Sequence, residues 1–233
     1  MHEMDDMDAG GDHSDRGHAS NGGHHSDGGH AARSDGHSEG HQTSDADLEP
    51  FLLDLGDVVE GYLAGAHHQG VYTPTGPFTL AAECLPIAEL IGTEPSVLQD
   101  EHPEARIGFT KSHFGPQLSE TIIDYGDEAA ASQALERVES AIEECDLYRQ
   151  STLPVGATLY DVEPLRFVSV GDASTALHLD ARGADFRDVF WDLVVARSGS
   201  YVVAVGFRSA FGSTIGDLRQ AVPAAVDKLD RAA

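Results

Sequence analysis

A chain of 233 residues, 40% of them hydrophobic, is long enough for one domain with a real core plus a polar extension. Its formal charge of -26, from 40 acids against 14 basic residues, argues against nucleic acid or an anionic membrane surface as a partner. No apolar run reaches the roughly eighteen residues that a membrane-spanning helix needs.

Residues 1–47 hold almost no apolar side chain larger than alanine apart from Met1, Met4 and Met7, and Gly, Asp, Ser and His dominate. Such a segment cannot bury enough surface to offset the entropy of ordering it, so it reads as a disordered tail ahead of a single domain at 48–233. Eight of the thirteen histidines fall in this tail. His18, His24, His25 and His30 are its densest group, and neutral imidazoles among carboxylates can capture Zn, Ni or Cu. The plainer reading is a solvated spacer, because no fixed ligand spacing is present and a flexible tail loses entropy in gathering ligands. The opening Met1-His-Glu-Met-Asp-Asp offers neither a basic n-region nor an apolar h-region. Either the protein is cytoplasmic or its natural start lies upstream. No cysteine in the tail can carry a lipid, so a membrane anchor would have to lie outside this chain.

From Leu48 the character changes to an apolar opening, read as a short helix and a turn into an extended piece. His67, His68 and Gly70 mark a loop, and Pro74 to Pro77 a second one. Residues 79–92 read as a short helix interrupted or restarted at Pro86, with Cys84 within it. Period-two segments at 105–113 and 118–125 flank Gly115-Pro116 and predict a hairpin. A long helix over 127–145 places Ala131, Ala134, Leu135, Val138, Ala141, Ile142 and Cys145 on one face. Four further strands follow at 157–170, 174–181, 189–197 and 201–208, and their short connections fit an antiparallel meander. Helical spacing of Ile215, Leu218, Val222, Val226 and Leu229 closes the chain, with Pro223 inside it. The fold class is α+β: an antiparallel sheet with its helices packed on one face.

The only cysteines, Cys84 and Cys145, sit on two different apolar helices. One disulfide suits an even count of two and an acidic, lysine-poor, exported protein; two unrelated buried thiols are the alternative. In the strands, His178, Asp180 and Arg182 alternate with Leu177 and Leu179, and Arg166 with Leu165 and Phe167. If the helices cover the leucine side, these polar groups share the open face and line one concavity with an aromatic such as Trp191 or Tyr201. A solvated sheet face is the plainer account of each residue taken singly. No nucleophile elbow and no glycine-rich phosphate loop is present, and forty acids make chance carboxylate pairs common.

The element order, with Phe78-Thr-Leu-Ala-Ala-Glu-Cys-Leu-Pro-Ile-Ala88, the 127–145 helix and Ser198-Gly-Ser-Tyr-Val-Val-Ala204, resembles the PknH-like extracellular sensor domain of actinobacteria. That family occurs as the receptor region of a transmembrane kinase and as envelope lipoproteins. The resemblance implies a sheet with helices on one side and a cleft on the other, no enzymatic chemistry and an unidentified ligand; the expected partner is a small molecule or an envelope protein, with no cofactor unless the tail holds Zn, Ni or Cu. It also implies an extracellular or envelope location, and so favours a start upstream of Met1. Members often carry a second cysteine pair and a tryptophan before the cysteine of the long helix, and this chain has neither. The alternative function is metal binding through the His-rich tail.

Overall fold

In the computed structural model, the described residues are 43–65, 82–90, 102–112, 115–152, 156–182, 189–210 and 215–231. The readings of a disordered tail, its histidine ligands and the loops at His67, His68 and 74–77 fall outside them, except for the tail's last residues.

The domain's first turn is helix α1, Asp45–Leu48, where the Asp47 carboxylate accepts from both the backbone N–H and the hydroxyl of Ser44. Asp45 accepts from the Glu104 amide at 2.8 Å, so this turn is tied to the sheet. A 3₁₀ turn, Glu49–Phe51, continues into an irregular strap that buries Leu52, Leu53, Val58 and Tyr62, beside Leu48 of α1. The strap ends in the two-residue strand β1, Leu63–Ala64.

After the 3₁₀ turn Ala82–Cys84 comes α2, Leu85–Leu90. Pro86 marks a restart, from the 3₁₀ turn into the helix, and not an interruption. It occupies the first turn, where a missing N–H breaks no helical bond. Strands β2, Glu104–Thr110, and β3, Gln117–Asp124, form the predicted hairpin. Helix α3, Glu128–Glu144, is capped by the Asp127 side chain, which accepts from the Ala130 amide at 2.9 Å. Its buried residues are the six apolar ones of the predicted face, and Cys145 follows as its C-cap.

Strand β4, Leu147–Thr152, then opens a meander through β5, Gly156–Pro164, β6, Ala173–Arg182, β7, Val189–Ser198, and β8, Tyr201–Ser209. The sheet order is β1-β2-β3-β8-β7-β6-β5-β4, antiparallel throughout. Helix α3 therefore carries the chain from the sheet's interior to its far edge, and the meander returns until β8 pairs with β3. Residues 165–170, expected as strand, are an irregular connection in which the Leu165 amide still donates to the Ala176 carbonyl of β6 at 2.9 Å. Helix α4, Ile215–Asp230, runs unbroken through Pro223. Among the described residues no helix is long and apolar enough to cross a membrane.

The two long helices do not share a face. Helix α3 packs with Leu177, Leu179, Trp191, Leu193, Val195, Val202 and Ala204, whereas α4 packs with Ala176, Phe190, Val194, Ala196, Val203, Val205 and Phe207. These sets alternate along β6, β7 and β8, so the helices lie on opposite sides of the sheet. The expectation of helices on one face is thus corrected: β7 and β8 carry apolar residues at both parities and need cover on both sides. The strap fills the rest of the α4 face over β2 and β3, where Phe109, Leu118 and Ile122 are fully buried.

Cys84 and Cys145 are bonded, with their Cα atoms 5.1 Å apart, and no free cysteine remains. The bond fastens α2 and its preceding turn to the C-terminal end of α3.

Candidate functional site

One row of residues crosses the sheet on the α4 face. From β5 to β2 it reads Glu163, His178, Asp192, Phe207, Leu118 and Phe109, each opposite the next. The last three are fully buried core, whereas Glu163 is exposed. Helix α4 packs over β7 and β8, and the polar end of the row lies beyond them on β5 and β6. Side chains closest to the helix must be apolar and those at the rim meet water.

Asp192 breaks that gradient, because it is 1% exposed although it lies next to Phe207. His178 answers it. The ring Nδ1 stands 2.6 Å from Asp192 Oδ1, and the ring stacks on Phe190 at a centroid distance of 5.7 Å. The histidine side chain itself is 30% exposed. Its pKa is raised, first by the hydrogen bond to Asp192, against the opposing effect of burial, and further by the charges of Asp192, Asp180 and Glu163. With Nδ1–H donating to the carboxylate, Nε2 is the ring atom left to a ligand at the rim.

A folded pKa above the unfolded one means that the pair contributes stability below about pH 6.5 and loses it as pH rises through the raised value. Replacing Asp192 by Asn should bring the His178 pKa back toward 6.5, read from the imidazole NMR shifts over pH 5 to 9. An unchanged midpoint would mean that the outer carboxylates, not Asp192, set it.

The residues expected to line one concavity are only partly brought together. His178 and Asp180 share the α4 face, joined by Glu163 and Asp192, which sequence reasoning did not single out. Trp191 is on the opposite face, buried beneath α3, with the Arg208 guanidinium 5.2 Å from its ring centre. Strand alternation explains this: Trp191 aligns with Leu179, on the leucine side. Arg166 is exposed in the connection after β5, outside the ladder. Arg182 pairs with Leu159 at the end of β6, and its side chain lies outside the described residues. Phe190, not Trp191 or Tyr201, is the aromatic beside His178.

A separate cleft of about 420 Å³ opens between the Cys84 segment and α3, lined among others by Glu83, Pro86, Glu136, Arg137 and Glu144. None of the five expected binding residues lies in it. No spacing signal pointed there, because the cleft arises from the disulfide holding two remote segments side by side. Among the described residues no group of three His, Cys, Asp or Glu side chains is placed to hold a metal ion.

No family model and no curated protein matches this sequence. The fold, in contrast, is that of the extracellular domain of PknH from Mycobacterium tuberculosis. That crystal structure superimposes with a TM-score of 0.59 over 82% of this chain and 98% of its own, at 10% sequence identity. The α+β architecture read from the residues and the resemblance to that fold are both seen.

Proposed function

We propose that this chain is a non-enzymatic binding or sensor domain of the cell envelope, taking a small molecule or a partner protein at the rim formed by Glu163, His178 and Asp180. The observation that carries this reading is Asp192, a carboxylate 1% exposed between His178 and the fully buried Phe207. A buried ion pair is poor value for stability, and an aliphatic residue there would pack against Phe207 without a desolvation cost. What Asp192 does supply is a fixed orientation for His178, the arrangement expected of a contact group. The disulfide supports an oxidising location, and a fold shared with a kinase's extracellular domain supports a receptor-like role. Both cysteines are consumed by the bridge, so neither can serve as a thiol nucleophile.

The reading is tested on the full chain by thermal shift against small polar molecules at pH 5.5 and 7.5, followed by NMR mapping of each hit. A genuine ligand shifts β5–β7 resonances, and H178A or E163Q weakens it about tenfold or more, the worth of one charged hydrogen bond. Hits that bind H178A and E163Q at full strength would move the site to the α2–α3 cleft. Turnover of any hit would end the non-enzymatic reading.

A second reading, metal capture by the N-terminal tail, rests on the eight histidines there. Its ligands would include His18, His24, His25 and His30, with Zn, Ni or Cu as the ion.

A further inference from the structure

On the same sheet face, under the strap rather than at the rim, lies a second buried acid. Glu120 of β3 is 1% exposed, and its strand neighbours are Ile107 on β2 and Val205 on β8. Its Oε2 accepts from the Leu53 amide at 2.6 Å, while Oε1 is buried with no hydrogen-bond partner. The charged groups that reach it are Asp57 from the strap and Lys228 from α4. Lys228 is engaged with the strap itself: Nζ donates to the Leu52 carbonyl at 2.8 Å and pairs with Asp57 at 2.5 Å and Asp54 at 3.3 Å. At the strap's other end Tyr62 donates to Asp217 at 2.7 Å, and Lys111 pairs with the same carboxylate at 3.0 Å.

Leu52 and Leu53 are thus held by one bond to α4 and one to the sheet, and the sheet bond ends on an acid cut off from water. An ionised carboxylate with one oxygen unpaired in such a place is costly, whereas a neutral carboxyl is far less so. Opening the strap would admit water to both oxygens. We propose that Glu120 is a proton-controlled latch: its neutral carboxyl keeps the strap at 49–62 closed on the sheet, and loss of the proton favours release of the Leu52–Leu53 end. Burial is the largest influence on this group and, opposed by the Leu53 hydrogen bond and Lys228 and aided by Asp57, pushes its pKa up to about 8. The open strap would return it to the ordinary carboxylate range. The closed form therefore binds the proton more tightly. Its advantage is complete below the open-state pKa and is lost as pH rises through about 8. Proton occupancy at Glu120 would thereby regulate how firmly the strap is held on the sheet, independently of any ligand at His178.

Amide hydrogen exchange on the full chain, corrected for the intrinsic pH dependence of exchange, tests the latch. The opening constant at Leu53 and its strap neighbours should rise about tenfold per pH unit between pH 5.5 and 7.5 and level off above about pH 8. The amides of α3 should not share that slope, and E120Q should abolish it. A flat profile at Leu53 overturns the latch. So does the same slope at every amide, which would report global unfolding, and so does a slope that survives E120Q. If E120Q fails to fold, the carboxyl ¹³C titration of Glu120 in the unaltered chain decides. A midpoint near 8 supports the latch, and one below about 6 overturns it.

Discussion

Replacing both Cys84 and Cys145 by alanine should cost about 4 kcal/mol of unfolding free energy and lower the melting midpoint by about 10 °C. The bridge joins residues 61 apart, and in the chain-entropy account such a loop restricts the unfolded ensemble by that amount. Removing it also frees α2, whose Ile87 is fully buried against the α3 core. Denaturant unfolding of the unaltered protein with and without reductant should reproduce the difference. A loss below about 1 kcal/mol would show that packing between α2 and α3 holds the two segments unaided.

Phe207 to Ala should be comparably damaging, at about 3–5 kcal/mol. The ring is fully buried on β8, between Leu118 and Asp192 in the transverse row, and lies 6.2 Å from the Phe190 ring that supports His178. Central strands covered on both faces have little room to collapse into the vacated space, which places the cost in the upper part of that range. In denaturant the midpoint should fall while the slope stays constant. The cavity would also loosen Phe190 and Asp192, so the His178 titration should move as well. A shift in stability with no change at His178 would separate the site from the core beneath it.

Much of this architecture is written in spacing. The α3 face from Ala131 to Ile142 and the hairpin strands β2 and β3 follow from helical and period-two patterns, β6, β7 and β8 from apolar runs bounded by turn residues, and the cysteine pairing is favoured over two separate thiols by the even count and the acidic composition. Two strands escaped. Strand β1 is two residues long, and β4 is Leu-Tyr-Arg-Gln-Ser-Thr at the sheet's edge, where pairing on one side requires no apolar alternation. The split of α3 and α4 between faces was legible in principle, because 189–196 and 201–207 are apolar at both parities, the mark of strands covered on both sides. The candidate site was harder to read. His178 and Asp180 could be found from alternation, but Asp192 and Glu120 are two acids among forty, and nothing local in sequence distinguishes a buried carboxylate from a solvated one. Trp191 was misplaced because membership of a face depends on register between strands, and register is a property of the pairing.

The pairing of β3 with β8 has a consequence for how this chain comes into being. Two local units, the β2–β3 hairpin and the β4–β8 meander, assemble from neighbours in sequence, yet the seam between them joins 117–124 to 201–208. The middle of the finished sheet is therefore the last strand to be synthesised, and α4, which covers it, comes later still. Until Ser209 has emerged, the halves have no shared edge, and the apolar inner sides of β3 and β7 are open to misassociation. Long-range closure of this kind is slow compared with local pairing. Folding must accommodate a domain whose central strand follows both of its edge strands in sequence.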